Sequence, residues 1–282
     1  MADKVAGTAV GPIVIAAAEQ RLPPENRLCT DEFAERMLPA AVRGLLRAGP
    51  VRRMLVATME RQAPGVWAGI ACRKRYLDEK VTEALDAGAA ALVLLGAGFD
   101  TRGLRLAVPR GVPDFELDVA ANIAAKRKRI TLPDSVFPVP VDFATDDVAA
   151  ALASAGRRPE SRTVFVWEAV TQYLTEAAVR STLAMLAGAA PGSTLGFTYI
   201  QRDFLAGTNL YDAPKMRQRF VIRDPMWKFG LLPAEVAGLL AEYGWQEAEQ
   251  VGAAEYRPRY LGPAGRTEPV SDVERCVWAV KS

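Results

Sequence analysis

Histidine is missing from all 282 residues, which removes the commonest general base near neutral pH and the commonest metal ligand. Cysteine is nearly as scarce. Cys29, Cys72 and Cys276 stand far apart, and an odd, scattered set makes neither a disulfide framework nor a paired metal-ligand motif. Such usage suits a reducing compartment, so a cytoplasmic protein is expected. No run reaches the roughly eighteen apolar residues of a membrane-spanning helix, and no membrane association is expected. The stretch "GTAVGPIVIAAAEQ" has no basic cluster before it beyond Lys4 and reads as a helix start, not a secretory signal. Charge of one sign is lacking too. With 35 Lys and Arg against 33 Asp and Glu, the formal net charge is +2, which excludes a global attraction to nucleic acid or an anionic membrane. Internal repeats and low-complexity tracts are also absent.

What remains is an ordinary globular composition, long enough for one large domain or a domain with an embellishment. Residues 1–88 read as a helical N-terminal cap. Ala34, Met37, Leu38, Ala41, Val42, Leu45 and Leu46 recur at helical spacing around a break at Pro39, and Asp78–Ala87 reads as a helix with an acidic first turn and Gly88 past its end. From residue 89 to 282 short apolar runs alternate with helical stretches: Ala91–Leu95, Asp114–Leu117, Phe137–Val141, Thr163–Trp167, Thr194–Tyr199 and Val273–Val280. Connections too long for hairpins predict crossover helices, and hence a doubly wound, mainly parallel α/β sheet of Rossmann-like, three-layer form. The alternation lapses at about 201–232. That insertion after the fifth strand, rich in arginine and aromatics, falls on the ligand-binding edge and reads as a lid.

The strand "ALVLL" runs into Gly96-Ala97-Gly98, a turn tight enough to bring backbone against a nucleotide. Asp118, followed by Val119, ends the second strand about twenty residues on, where a carboxylate accepts hydrogen bonds from ribose hydroxyls; the plainer reading is a helix cap. A dinucleotide needs a third glycine, where Thr101 stands, and a seat for pyrophosphate, where Asp100 brings negative charge. An acidic turn suits a ligand carrying an ammonium and a sulfonium, so the chemistry favours S-adenosyl-L-methionine, with S-adenosyl-L-homocysteine as product and no metal.

"LVLLGAGFDTRGLRL", "FELDVAANIAAKR", "VPVDF" and "VWEAVTQYLTEAAV", with "ACRKRYLDEKV" before them and "FGLLPAEVAGLLAEYGW" after, resemble the leucine carboxyl methyltransferase family. Within it they resemble the bacterial branch of tetracenomycin-type polyketide O-methyltransferases. The likeness spans roughly residues 15–280 and implies a class I methyltransferase fold. It implies that Arg73, in preference to Arg75, grips the cofactor carboxylate, the plain alternative being a surface arginine. It further implies that Asp142 meets the adenine amino group while Phe143 packs on the ring, against the reading of a turn acid beside a core aromatic. Glu168, an acid ending a buried strand and costly there without a partner, faces the cofactor's amino-acid end in that family. Tyr173 would orient an acceptor oxygen, or else be an interior tyrosine. Asp100 and Arg102 match an acid–Thr–Arg run that shapes the turn. "KRKR" at 126–129 reads as a solvated helix end, and Cys72, with no histidine to activate it, as a small buried residue.

Methyl transfer from a sulfonium is an in-line displacement that needs the acceptor oxygen held about 3 Å behind the methyl carbon. A carboxylate, with a reference pKa of about 4, arrives ionised, whereas a phenol near 10 usually needs a base. In a chain without histidine the simpler acceptor is a small-molecule carboxylate, with a phenol next. The sequence therefore predicts an O-methyltransferase acting on a small natural product, of the aromatic polyketide type that the resemblance implies. Protein C-terminal carboxyl methylation is an alternative. A nicotinamide-dependent oxidoreductase is disfavoured by Thr101 and by the missing histidine or Tyr-x-x-x-Lys set, and a non-catalytic binding module is the other rival. Oligomeric state is open, a homo-oligomer included.

Overall fold

The computed structural model describes residues 10–143 and 145–282. Four helices come first: α1 (Val10–Glu19), α2 (Ala40–Arg47), α3 (Gly49–Gln62) and α4 (Val66–Asp86). There follow β1 (Ala91–Leu95), β2 (Asp114–Asp118), α5 (Ala120–Arg127), β3 (Val136–Pro140), α6 (Val148–Ser154), β4 (Thr163–Trp167), α7 (Glu176–Leu186) and β5 (Thr194–Gln201). The chain closes with α8 (Arg202–Ala206), α9 (Pro214–Arg217), β6 (Gly230–Leu231), α10 (Val236–Ala241), β7 (Trp245–Val251), α11 (Ala253–Tyr256) and β8 (Glu274–Lys281).

The strands form one sheet in the order β3-β2-β1-β4-β5-β8-β7, with β6 beside the end of β5. Strands β1 to β6 pair in parallel, and the last two pair antiparallel. The expected three layers are present because successive residues of a strand face opposite ways. Leu92, Leu94, Val164 and Val166 face the side covered by α1 and α4, while Val93, Leu95, Phe165 and Trp167 face α6, α7 and α10. The order reverses at β1/β4, the switch point where open α/β sheets bind ligands.

The six strands expected from the sequence are all present, but the two-residue β6 and the longer β7 are additions; β7 shows why. Its "WQEAEQV" lies at the sheet edge with a register shift at Glu247/Glu249, so most of its side chains meet water and the apolar alternation is lost. Another correction concerns α4. Asp78 lies inside a 21-residue helix rather than opening a new one, and its carboxylate binds Arg102 and Arg105. "KRKR" needs a third. Arg127 and Lys128 are exposed, but Lys126 is 2% exposed, its ammonium 2.6 Å from Glu116 and bonded to the carbonyl of Asp100. The acid in β2 supplied the partner that a helix-end reading leaves out.

Helix α4 places the site's chief cation, so its seating matters. Trp67, Ala71, Tyr76, Leu77 and Val81 bury one face against the sheet. Buried Glu19 ties α1 to it, accepting from Trp67 Nε1 at 2.9 Å and pairing with Arg266 at 2.7 Å. Close approach requires Gly196 in β5: a Cβ there would lie 2.7 Å from Leu77 Cδ2 and 2.9 Å from Trp278 Cζ3. Gly196→Ala is expected to lower stability by about 1–3 kcal/mol through overpacking, read as a lower urea midpoint at unchanged slope.

Candidate active site

At the carboxyl edge of the parallel strands opens a cleft of about 880 Å³. Its floor is the turn after β1, where Gly96 and Gly98 adopt φ of 76° and 49°. A Cβ on Gly96 would lie 2.5 Å from Val170 Cγ2, so both the backbone conformation and the space demand glycine. The amides of Gly96 and Ala97 both donate to Leu117 O at 2.8 Å, and Gly98 N donates to Asp118 Oδ2 at 2.6 Å. Asp118 Oδ1 accepts from Val119 N at 2.7 Å and Asn122 Nδ2 at 2.8 Å. Burial pushes the Asp118 carboxyl above its ordinary value, against the pull of those donors. The carboxylate thus braces the glycine turn and ties it to Val119 and Asn122 at the start of α5 while it lines the cleft.

The turn is poorly built for diphosphate. Asp100 Oδ1 takes the amide of Arg102 at 2.9 Å, and Thr101, fully buried, donates to Asp31 Oδ1 at 2.7 Å. Beyond it, Gly103–Ala107 is a wide π-type turn rather than a regular helix whose N-terminus faces the glycines. The backbone amides and helix dipole that a pyrophosphate seat uses are therefore committed elsewhere or missing.

Above the floor runs a line of buried charges. Glu168 ends β4, with one carboxylate oxygen 2.7 Å from Arg73 Nε and the other on Arg102 Nη1. Arg102 also binds Asp100 at 2.5 Å and Asp78 at 2.6 Å and is fully buried. Arg73 donates its Nη1 to Glu274, while its Nη2 is buried without a partner among the described residues. Burial alone would raise the Glu168 carboxyl, but Arg102, Arg73 and Lys74 outweigh it and hold it below the usual range. The two guanidiniums in turn stay charged, since the facing carboxylates more than offset their burial. Next in sequence, Ala169 sits at φ 57°, held by its amide donating to Thr198 Oγ1 at 2.8 Å. A non-glycine residue there costs of order 1–3 kcal/mol, and it turns the chain sharply to leave Glu168 in the wall.

Of the residues expected from the sequence, Arg73, Gly96, Ala97, Gly98, Asp118, Val119, Asp142, Phe143, Glu168 and Tyr173 all line this one cleft. Arg75 turns away and pairs with Glu79 at 2.9 Å. Cys72 is buried, and burial pushes its thiol up to about 12. Sequence reasoning missed Glu274 and Gln172, both in the wall, where Trp227 of the expected lid segment also stands. The insertion is not a loop. Helices α8 and α9 and a π-type turn at Gln218–Arg223 carry Lys215, Met216, Arg219 and Phe220 to the cleft. No group of three or more His, Cys, Asp or Glu among the described residues is placed to hold a metal ion, and no described helix is long and apolar enough to cross a membrane.

Comparison with known proteins bears on the family and the fold. The sequence pattern of the leucine carboxyl methyltransferase family matches residues 9–187. An inferred S-adenosyl-L-methionine-dependent methyltransferase of Frankia alni is 32% identical over 93% of this chain and 89% of its own. Another, of Streptomyces avermitilis, is 31% identical over 85% of this chain and 82% of its own. Among solved structures, an inferred methyltransferase of Thermobifida fusca superposes with a TM-score of 0.60 at 15% identity, covering 82% of this chain and 88% of its own. That last likeness concerns the fold.

A lowered carboxyl pKa makes a definite prediction. The stabilisation from ionised Glu168 is fully present above its unfolded-state value of about 4.3 and is lost as pH falls through the lower folded value. Glu168→Gln is expected to be destabilised at pH 7, by about 3–5 kcal/mol for a buried pair broken on one side. The gap to the parent chain should narrow as denaturation is repeated at pH values falling below about 4; a constant gap would refute the ionic account.

Proposed function

Because the chain belongs to the leucine carboxyl methyltransferase family and is an S-adenosylmethionine-dependent methyltransferase, we propose that it forms a methyl ester on the carboxylate of a small, flat, aromatic polyketide-type acid. The residues present fit the cofactor. Arg73 Nη2 is a buried donor without a partner among the described residues, placed to take an amino-acid carboxylate by a charge-assisted hydrogen bond. Asp118 Oδ2, which accepts only from Gly98 N, keeps acceptor capacity for a ribose hydroxyl. Asp142 and Phe143 stand on the wall beyond β3, where adenine would lie between an acid-bearing turn and a ring. When bound, S-adenosylmethionine supplies an activated methyl group on a sulfonium, and the chain's own part is to orient the acceptor and exclude water.

The observation that carries the acceptor reading is one wall of the cleft. Phe220 and Trp227 stack with ring centroids 4.8 Å apart and planes 11° apart, and the Arg219 guanidinium lies 5.0 Å over Phe220. Lys215 lines the same cleft, and Trp227 Nε1 is a buried donor with no partner among the described residues. Aromatic faces with cations beside them favour a flat anion. Such an acceptor is ionised at neutral pH, so a chain without histidine need not provide a base. Tyr173, half-buried in the wall, would orient the acceptor oxygen. The segment 201–232 is read as a lid over that acceptor, closing the site against water.

The test is turnover with S-adenosylmethionine on matched aromatic acids and phenols. A product that releases methanol in mild alkali is an ester and supports this reading, whereas alkali-stable methyl ethers alone would replace it with phenol methylation. Calorimetry with NADH should show no binding. Trp227→Ala is expected to raise the acceptor KM several-fold, the loss of about 1 kcal/mol of aromatic contact, with the cofactor Kd unchanged.

A further inference from the structure

Two open valences belong to one ion pair at the Arg73 end of the cleft. Arg73 uses Nε on Glu168 and Nη1 on Glu274, which leaves Nη2 as an unused donor. Glu274 uses Oε2 on Arg73, which leaves Oε1 as a buried acceptor without a partner among the described residues. A carboxylate oxygen buried with nothing to accept is costly, and both residues line the cleft. One donor beside one acceptor, on a rigid ion pair, is the complement of a zwitterion: a carboxylate for the guanidinium, an ammonium for the carboxylate.

We propose that Glu274 is a cofactor-binding residue, whose Oε1 accepts a hydrogen bond from the ammonium of the S-adenosylmethionine amino-acid end while Arg73 Nη2 donates to its carboxylate. This rests on the cofactor reading above. Glu168 is the less suited partner for that ammonium because each of its oxygens already accepts from a guanidinium, Arg73 on one side and Arg102 on the other. Topology brings Glu274 there. Strand β8 runs antiparallel to β5, with Glu274 opposite Ile200, so its first residue emerges at the edge where the parallel strands end. Of the other charges lining the cleft nearby, Asp100 has both oxygens on Arg102, Lys74 is a cation and so no partner for an ammonium, and the Arg275 guanidinium lies on Asp272, Gln250 and Glu255.

Three ligands separate the contacts: S-adenosylmethionine, its decarboxylated analogue, which keeps the ammonium alone, and 5′-methylthioadenosine, which has neither group. In Glu274→Gln the amide keeps an oxygen on Arg73 only by turning its NH₂ toward the ammonium. Calorimetry should show about tenfold weaker binding of the first two ligands and a change under twofold for methylthioadenosine. Glu274→Asp, which keeps the charge on a shorter arm, should show the same pattern with a smaller loss and serves if the glutamine variant does not fold. Unchanged affinity for both ammonium ligands, or an equal loss for all three, would overturn the assignment. A parent chain that binds neither S-adenosylmethionine nor methylthioadenosine would instead defeat the cofactor reading itself, and this inference with it.

Discussion

The site depends on one carboxylate held between two guanidiniums. Glu168 at the end of β4 joins Arg73 of α4 to Arg102 of the segment after the glycine turn, and each arginine continues outward to further acids: Glu274 on β8, Asp100 and Asp78. Desolvating so many charges yields little net stability compared with an apolar packing of the same volume. What the network fixes is position. It locks a helix, a turn and two strands to a common set of atoms, so the floor and the wall of the cleft cannot drift apart. Arg102 is the interior member, fully buried and making its contacts only within the protein; Arg73 is the member with a donor to spare.

How much of this was legible in the sequence follows from which residues interact along the chain and which across it. The parallel core was legible because buried strands such as "ALVLL" and "TVFVW" are apolar on both faces, and turn glycines punctuate them. Asp118 was legible by its spacing from the glycine turn, and Glu168 because an acid ending a buried apolar strand is costly without a partner. Glu274 has the same signature, an acid against the apolar run "CVWAV", but it stands at the beginning of its strand. Only the antiparallel direction of β8 carries a strand's beginning to the ligand edge, and nothing local encodes direction. Lys126 was misjudged for the same reason: its partner Glu116 is ten residues away on β2, brought underneath by the crossover. Arg73 was legible by family likeness alone, since a helical arginine amid "ACRKRY" has no periodic feature that separates it from Arg75.

The glycine turn shows how the same opening can serve different ligands. The first two glycines of a nucleotide-binding turn are here, with the backbone conformations that require them. The third position is Thr101, pinned to Asp31 and accepting from Arg105 Nε at 2.9 Å, so the chain dives into the core rather than entering a helix aimed at the ligand. With Asp100 drawn back onto Arg102, the end of the turn has an arginine and carboxylates where a dinucleotide protein presents free amides. That exchange removes the seat a doubly charged anion would use, and on the proposed reading it leaves one for a zwitterion on the same topology.

The two ends of the cleft differ in how they are made, and the difference bears on specificity. The end near Arg73 is assembled from strand termini and a helix buried against the sheet, with its charges paired within the protein. The opposite end is assembled from the segment after β5, whose own small cluster of Ile200, Phe204, Ala213 and Val273 is separate from the two large cores. Two of its anchors are local, Arg217 on the carbonyls of Phe204 and Leu205 and Tyr211 on Asp203 at 2.7 Å, while Lys228 N on Gln172 O at 2.7 Å ties it to the turn after β4. Changing Phe220, Arg219 or Trp227 leaves the ion network untouched, because no hydrogen bond joins these side chains to Glu168, Arg73 or Arg102. On the proposed reading, such a division lets one cofactor seat be retained while the acceptor wall is rebuilt, a freedom that a single continuous core would not permit.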